Sequence, residues 1–227
     1  MKKFGFTLAE VLITLAIIGV VAVLTLPALM NNVGEQQYIT GFKKSLNTFT
    51  EAAQLSQSLT GYDYDTVRSV SNSTDTIHTV PTSVYGMLRD RLSIDETAVD
   101  EQKAPNQTDG YVAAGVQGQE GSGNFAIYLR DNTIIQFSKT PSTTDETAIG
   151  PDGHIKGIKA LVDVNGVKGP NALSNCSGTA SGATSDGGTM EACANNTTRM
   201  IKDQFSVLLK GNTAIPNGPA ARWAALK

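Results

Sequence analysis

The side chain best placed to do chemistry in the first thirty residues is the carboxylate of Glu10. It is the only ionisable side chain between Phe6 and Met30, a stretch that is otherwise predominantly apolar. A carboxylate near the middle of a membrane-spanning helix costs roughly 2.5 to 3.5 kcal/mol on insertion scales, so it is retained where it has a partner or a task. Glu10 is therefore the first candidate for a functional residue.

The rest of the sequence offers little catalytic chemistry. His78 lies in a polar stretch and His154 in a Gly/Asp turn, and neither has a nucleophile or carboxylate at a motif spacing. The patterns G-x-S-x-G, H-E-x-x-H and C-x-x-C do not occur, nor does a phosphate-binding glycine loop. The formal net charge of −3 gives no global case for nucleic acid, which would need a basic face. We expect a chain that is not an enzyme, uses no cofactor and binds no nucleic acid.

The apolar run that contains Glu10 is long enough to cross a bilayer, since roughly 20 apolar residues span the ~30 Å hydrocarbon core. Lys2 and Lys3 precede the run and are expected to stay cytoplasmic. A secretory signal carries its small-residue cleavage site after the apolar segment. Here the small residue, Gly5, lies before that segment. Cleavage at Gly5 would therefore leave the helix on the mature protein.

The first ten residues, MKKFGFTLAE, resemble the prepilin processing site of type IV pilins and of the pseudopilins of type II secretion. The resemblance covers residues 1–30. It implies that prepilin peptidase, a membrane enzyme, cuts after Gly5 and methylates the new N-terminal residue, Phe6. The alternative for this segment is a plain single-pass signal anchor in which Glu10 is incidental.

The same resemblance implies an assembly role for three residues. Glu10 matches the family's intramembrane glutamate, and Gly19 and Pro27 lie where such pilins carry a helix-loosening Gly and Pro. For Pro27 the alternative is an ordinary helix kink that neighbouring structure tolerates. The implied partners are prepilin peptidase, other pilin or pseudopilin subunits in a helical homo- or hetero-filament, an inner-membrane assembly platform, and membrane lipid before assembly.

Asp163 and Asn165 open the run DVNGVKGPN and are the best metal-ligand candidates. Their spacing resembles the start of a calcium loop, where Ca²⁺ takes six to eight oxygens, but Val167 and Gly169 stand where further acids would help. The alternative is a tight turn at a strand end, in which Asp and Asn bond their own backbone. We expect the turn and no metal site. Similar runs occur in the heads of pilin-like proteins.

Cys176 and Cys193 are the only cysteines and lie in a stretch rich in Gly, Ser and Thr. In an exported chain we expect a disulfide that closes a loop of about 18 residues, worth about 3 kcal/mol in the chain-entropy model. Free or metal-bound thiols are the alternative, although no C-x₂-C spacing supports a metal. The position of loop 176–193 is similar to that of the disulfide-bounded variable loop of type IV pilins.

Beyond Met30 the sequence predicts that the helix continues to Leu59, with Gly61 as its C-terminal stop. Apolar residues recur every three to four positions between charged and polar ones, and they are Tyr38, Phe42, Leu46, Phe49, Ala53 and Leu59. We expect this stripe to pack on a sheet. The predicted regions are a leader (1–5), a transmembrane and assembly helix (6–30), an amphipathic half of the same helix (31–60) and an extracytoplasmic head (61–227).

The head is predicted to be α+β, with a small antiparallel sheet packed on the long helix, an arrangement that also resembles pilins. Predicted strands lie at 111–116, 125–129, 133–137, 155–164 and 204–209, and a short helix lies at 83–92. Residues 130–132 are turn-forming and separate two apolar-alternating segments, which predicts a β-hairpin. Trp223 is expected to pack on an edge of the sheet, with ligand binding as its alternative.

Two hypotheses of different class follow. The first is a structural subunit, major or minor, that assembles through its N-terminal helix into a type IV pilus or a type II secretion pseudopilus. It would begin as a single-pass protein of the bacterial inner membrane with its head outside the cytoplasm, and then enter a cell-surface or periplasmic filament. The second is a monomeric membrane-anchored binding module. The cleavage site and an unpaired Glu10 favour the first, and the two cysteines slightly favour a pilus.

Processing is predicted to remove residues 1–5 and to leave N-methyl-Phe6, because the Gly5-Phe6 junction precedes an intact apolar run. Mass spectrometry of the mature amino terminus checks this prediction. Retention of Met1, or cleavage beyond Ala28, would contradict it. Replacement of Gly5 by a bulky residue is expected to leave an unprocessed precursor in the inner membrane.

Overall fold

The computed structural model describes residues 5, 7–67, 84–89, 91–94, 124–138, 157–166, 168–178, 187–195 and 198–227. The helices are α1 (Leu8–Thr60), α2 (Val84–Arg89), α3 (Met190–Cys193) and α4 (Pro219–Leu226). The strands are β1 (Asn124–Tyr128), β2 (Ile134–Ser138), β3 (Ile158–Asp163), β4 (Gln204–Lys210) and β5 (Thr213–Pro216). An apolar N-terminal helix followed by a small antiparallel sheet is a pilin-like α+β architecture, which confirms the predicted fold class.

Helix α1 passes through two compact units, Met1–Gln37 and Tyr38–Lys227. It begins at Leu8, two residues later than predicted. It ends at Thr60, where Gly61 follows with a φ of 78°, a left-handed conformation that glycine adopts without a Cβ clash. Gly61 is therefore the C-terminal stop that the sequence predicted.

The strands of the second unit pair in the order β1-β2-β3-β4-β5, each antiparallel to its neighbour. The β1-β2 connection is the predicted hairpin, in which Leu129 N–H donates to the Thr133 carbonyl oxygen at 2.8 Å. Asn132 has a φ of 69° there, a conformation that asparagine tolerates in turns. The β2–β3 and β3–β4 connections are both long, spanning 139–157 and 164–203.

One face of the sheet and one side of α1 form the core of the second unit. The buried residues of α1 in this cluster are Ile39, Phe42, Phe49, Ala52 and Ala53. The strands contribute Ile127, Ile135, Ile158, Ala160, Val162, Phe205, Val207 and Leu209. The rings of Phe42 and Phe205 stack with centroids 4.2 Å apart. Tyr64 is fully buried, and its hydroxyl donates to the Phe49 carbonyl oxygen at 2.8 Å, which fastens the chain after α1 to the helix.

Strand β5 forms an edge of the sheet whose outer side presents no free backbone donor. Asn217 N–H donates to Ser206, so the alternate residues Ala214 and Pro216 turn their backbone groups away from β4. Ala214 N–H donates to Thr50 Oγ1 at 3.0 Å, and Pro216 has no N–H. An edge closed in this way resists the addition of another strand.

Several elements differ from the sequence prediction. Strand β3 is shorter than the predicted 155–164, and α2 is shorter than the predicted 83–92. The predicted strand at 111–116 lies outside the described residues, as do His78 and His154. Strand β5 is not predicted from the sequence, because it is only four residues long and contains a proline. Helix α4 is not predicted either, although Pro219 after Gly218 is a start signal.

Phe205→Ala is expected to destabilise the second unit by about 3 to 5 kcal/mol, because it removes a fully buried ring and leaves a cavity beside Phe42. Urea unfolding of a soluble fragment that begins at Tyr38 provides the measurement. Leu208→Ala is the matched control on the same strand, since Leu208 is only partly buried and should cost about 1 kcal/mol or less. Equal losses in the two variants would contradict this description of the core.

Candidate functional site

Thr7 and Glu10 form a hydrogen-bonded cap at the start of α1. The Glu10 Oε2 atom accepts from Thr7 N–H and from the Thr7 hydroxyl, each at 2.8 Å. The Thr7 Oγ1 atom in turn accepts from Glu10 N–H at 3.3 Å. This reciprocal arrangement is a capping box, which satisfies backbone N–H groups that helix geometry leaves without partners. It fixes the first residue of the helix at Leu8.

The description of Glu10 as unpaired is therefore wrong in one respect. Its own helix supplies two donors, both from Thr7, but no cation. The sequence contains no basic residue between Lys3 and Lys43, and the Glu10 Oε1 atom accepts no bond from the described residues. The carboxylate is thus held in place by its own chain, and among the described residues no cation neutralises its charge.

The α1 residues from Leu8 to Thr25 form a helix that is long and apolar enough to cross a membrane. Their mean hydropathy is 2.5, and none of these 18 residues is buried within the chain. Leu8 is 81% exposed and Leu24 is 74% exposed. Apolar surface in water costs about 25 cal/mol per Å², so a surface of this extent requires lipid or another protein against it.

The threonine hydroxyls of this segment are satisfied within the helix. The hydroxyls of Thr14 and Thr25 each donate to a carbonyl oxygen about one turn earlier, at 2.9 Å. Gly19 lies within α1, and a Cβ built on it would have no neighbour within 4 Å. The helical backbone continues through Pro27. The helix-loosening role of Gly19 and Pro27 stays a prediction.

The predicted cleavage site precedes the cap. Gly5 is exposed and lies outside the helix, whereas Phe6 is not among the described residues.

A comparison with protein-family models matches residues 1–26 to the family described as prokaryotic N-terminal methylation motif. The chain carries the N-terminal methylation motif of type IV pilins and pseudopilins. No curated protein and no solved structure matches the chain.

The methylation motif indicates a type IV pilin-like precursor, and the family that shares it is structural rather than enzymatic. The motif implies processing by prepilin peptidase and assembly with other pilin subunits. Together with the exposed apolar helix it indicates membrane anchoring. The match ends at residue 26 and does not extend into the second unit.

In the second unit, Asp163 and Asn165 form the turn that ends β3. Asp163 Oδ1 accepts from Asn165 N–H at 3.1 Å, and the Asn165 side-chain amide donates to the Gly169 carbonyl oxygen at 3.3 Å. Gly166 is required here, because it has a φ of 71° and a Cβ built on it would lie 2.6 Å from the Asn132 carbonyl oxygen. Both side chains thus make the backbone bonds that the turn interpretation expects.

Asp203 is a second buried carboxylate, and it holds the chain that follows this turn. Its two oxygens accept from Asn171 N–H at 2.7 Å and from Ala172 N–H at 2.9 Å. Burial raises the pKa of Asp203, although these N–H groups act in the opposite direction. The pKa of Tyr38 on α1 is also raised, first by burial and then by the charges of Asp203 and Asp163. The start of α1 in this unit therefore lies near both carboxylates.

The hydrogen bonds around Asp163 and Asp203 leave few carboxylate oxygens available as ligands for a cation. The remaining oxygen of Asp163 accepts from the Gln204 side-chain amide at 3.1 Å, so all four carboxylate oxygens already have donors. Within the described ranges, no group of three or more His, Cys, Asp or Glu residues is placed to hold a metal ion. The arrangement joins loops rather than presenting ligands.

The structure joins Cys176 and Cys193 by a disulfide, and both residues are buried. Gly188 packs against Cys176 with a φ of 99°, and a Cβ built there would lie 2.5 Å from the Cys176 carbonyl carbon. Arg199 donates to the Cys193 carbonyl oxygen at 3.2 Å and places its guanidinium carbon 4.2 Å from the centroid of Trp223. Trp223 of α4 is 8% exposed, so it serves as packing surface for this loop.

Three of the residues described above are not identified from the sequence alone, and they are Thr7, Asp203 and Arg199. Thr7 could have been found, because T-x-x-E before an apolar run is the signature of a capping box. Asp203 carried no local signal, since the backbone groups that it binds lie about thirty residues earlier in the chain. Arg199 likewise depends on a contact with α4, an element that was not predicted.

Calcium is expected to bind the Asp163 turn weakly or not at all, because it would have to displace four existing hydrogen bonds. Titration calorimetry on the fragment from Tyr38 onward provides the measurement. Micromolar affinity that is lost in Asp163→Ala would show that the turn is a metal site. Without calcium, Asp163→Ala is expected to cost about 1 kcal/mol through the lost turn bond.

Replacement of both Cys176 and Cys193 by serine is expected to cost about 3 kcal/mol at most, because the bridge closes one short loop. The contact between Arg199 and Trp223 holds the same loop without it. Chemical unfolding of the double variant measures the loss, with Cys176→Ser/Cys193→Ser/Arg199→Ala as the comparison that should lose more. Peptide mapping of the exported protein that found free thiols would refute the pairing.

Proposed function

We propose that this chain is a filament subunit, cleaved after Gly5 by prepilin peptidase, methylated at Phe6 and assembled through α1 into a type IV pilus or a type II secretion pseudopilus. Before assembly it spans the bacterial inner membrane once, with the second unit outside the cytoplasm. The observation that carries the proposal is the methylation motif at residues 1–26, followed directly by an apolar helix that the chain leaves exposed.

The exposed helix needs two successive environments in this proposal. Lipid covers the surface from Leu8 to Thr25 before assembly, and the α1 helices of neighbouring subunits cover it afterwards. The side chains of this segment are suited to both, since its threonines are satisfied within the helix and Glu10 alone carries a charge. A monomeric anchor would need only the first environment.

Glu10 is the residue through which subunits would be aligned. Cleavage creates a cation at the amine of Phe6, and the sequence offers no other within reach of Glu10 on α1. Thr7 already occupies one carboxylate oxygen and holds the side chain in one orientation. The other oxygen is then directed to the amine of a neighbouring subunit. Such a pair would offset the roughly 2.5 to 3.5 kcal/mol cost of the buried charge and would set the axial stagger between helices.

Glu10→Gln separates the role of this residue in the helix cap from the role of its charge in assembly. Glutamine can still accept from Thr7 N–H as a capping-box partner, so α1 should begin at Leu8 and insert normally. The charge is lost, however, and fibre yield is expected to fall by at least about tenfold, the equivalent of ~1.4 kcal/mol per contact. Quantifying the mature protein in membranes and in sheared fibres, side by side, provides the measurement.

Thr7→Val is the matched control, because it removes the hydroxyl and keeps the charge of Glu10. It should assemble better than Glu10→Gln. A wild-type fibre yield from normally processed Glu10→Gln protein would show that Glu10 is not the assembly contact. If processed wild-type protein never appears in sheared fibres of high molecular mass, the chain is a monomeric anchored module instead.

A further inference from the structure

Two of the exposed large apolar residues of the second unit lie together near the C-terminal end of α1. Leu55 is 48% exposed and Leu59 is 65% exposed, and their spacing of four residues puts them on one helical face. Glu51 lies one turn before Leu55 on the same face and is exposed. We call Glu51, Leu55 and Leu59 the helix patch.

A second apolar surface lies on the face of the sheet that points away from α1. Leu208 of β4 and Ile215 of β5 are directly paired, and Ile215 is 41% exposed. Lys210 follows two residues after Leu208 on the same face and is exposed. We call Leu208, Lys210 and Ile215 the sheet patch.

The two patches lie on different surfaces of the second unit, one on α1 and one on the sheet, and at the same end of it. They do not overlap, because the sheet patch lies on the face of the sheet opposite to the one that packs on α1. They are at the same end because the β4-β5 hairpin runs beside the last turns of α1. Ala214 N–H donates to Thr50, and the Asn212 side chain donates to Gln57 Oε1 at 3.1 Å.

The charges beside the two patches are of opposite sign. Glu51 accompanies the leucines, and Lys210 accompanies the paired residues of the sheet. Within the described part of the chain the single ion pair joins Lys44 to Asp131, so neither Glu51 nor Lys210 is engaged in one. Opposite charges at the rim of two apolar patches favour their association and disfavour pairing of either patch with itself.

We infer that the helix patch of one copy docks on the sheet patch of a second copy of this chain. This inference rests on the proposed function and deepens it by naming the contact between the extracytoplasmic units. Because the patches differ and do not overlap, each copy can bind one neighbour through each of them. Such a heterologous contact continues into an open helical array instead of closing as a dimer.

The contact is made by side chains rather than by pairing of strands. Thr50 occupies the outward N–H of Ala214, and Pro216 has none, so the β5 edge cannot add a strand from a neighbour. The exposed aliphatic side chains beside that edge remain available. Assembly would therefore bury Leu55, Leu59 and Ile215 without adding a strand to the sheet of either copy.

Cysteine cross-linking in fibres of the full-length protein tests the contact. The double variant Leu59→Cys/Ile215→Cys, treated with a short bismaleimide, is expected to give a ladder of dimers, trimers and higher species. Each single variant is expected to give none, because its partner patch lacks a thiol. Leu59→Cys/Leu226→Cys is the matched control, since Leu226 is 80% exposed and lies outside both patches.

Fibre yield provides a second readout. Leu59→Glu is expected to lower it about tenfold, by placing a charge where apolar surface is buried, while Leu226→Glu should leave it unchanged. Fibres that form normally but give no ladder, or that give dimers from Leu59→Cys alone, would overturn the inference and leave the proposed function standing. A wild-type chain that forms no sheared fibres would remove the proposed function and this contact with it.

Discussion

The structure depends on the burial of apolar side chains along α1, which has to be achieved in two different ways within one helix. From Tyr38 onward, residues such as Phe42 and Phe49 are buried by the sheet of the same chain. From Leu8 to Thr25 the chain provides nothing to bury them. The first arrangement makes a stable folded unit. The second leaves an unfavourable surface that only lipid or other proteins can cover, and the proposed function follows from that requirement.

The polar groups of the exposed half of α1 and those of the second unit are also satisfied in two different ways. In the exposed half of α1, Thr14, Thr25 and the Thr7–Glu10 cap satisfy their hydrogen bonds locally, as an apolar environment demands. In the second unit, carboxylates act over long sequence distances. Asp203 holds the backbone near Asn171, and Asp163 is held by Gln204, so the loop between β3 and β4 is tied to β4. Glu10 differs from these carboxylates in keeping one oxygen without a donor among the described residues.

Much of this could be predicted from sequence because the strongest signals are local. Hydrophobic length and periodicity gave the helix, Gly61 gave its end, and turn residues gave the β1-β2 hairpin. The missed features depend on contacts between distant segments. Strand β5 is stable only against β4 and Thr50, and Asp203 gains its role only when the chain near Asn171 folds beside it. The Thr7–Glu10 cap is different, because the T-x-x-E spacing that forms it is itself visible in the sequence.

The central claim is that the surface of α1 buried in lipid before assembly is buried by other copies of the chain afterwards. A photoreactive amino acid at Val20, which is 63% exposed in the chain, tests this most directly. Irradiation of the membrane fraction and of sheared fibres should give lipid adducts in the first and cross-links between copies in the second. Sheared material in which Val20 reacts only with lipid, or with no other copy of the chain, would contradict the account.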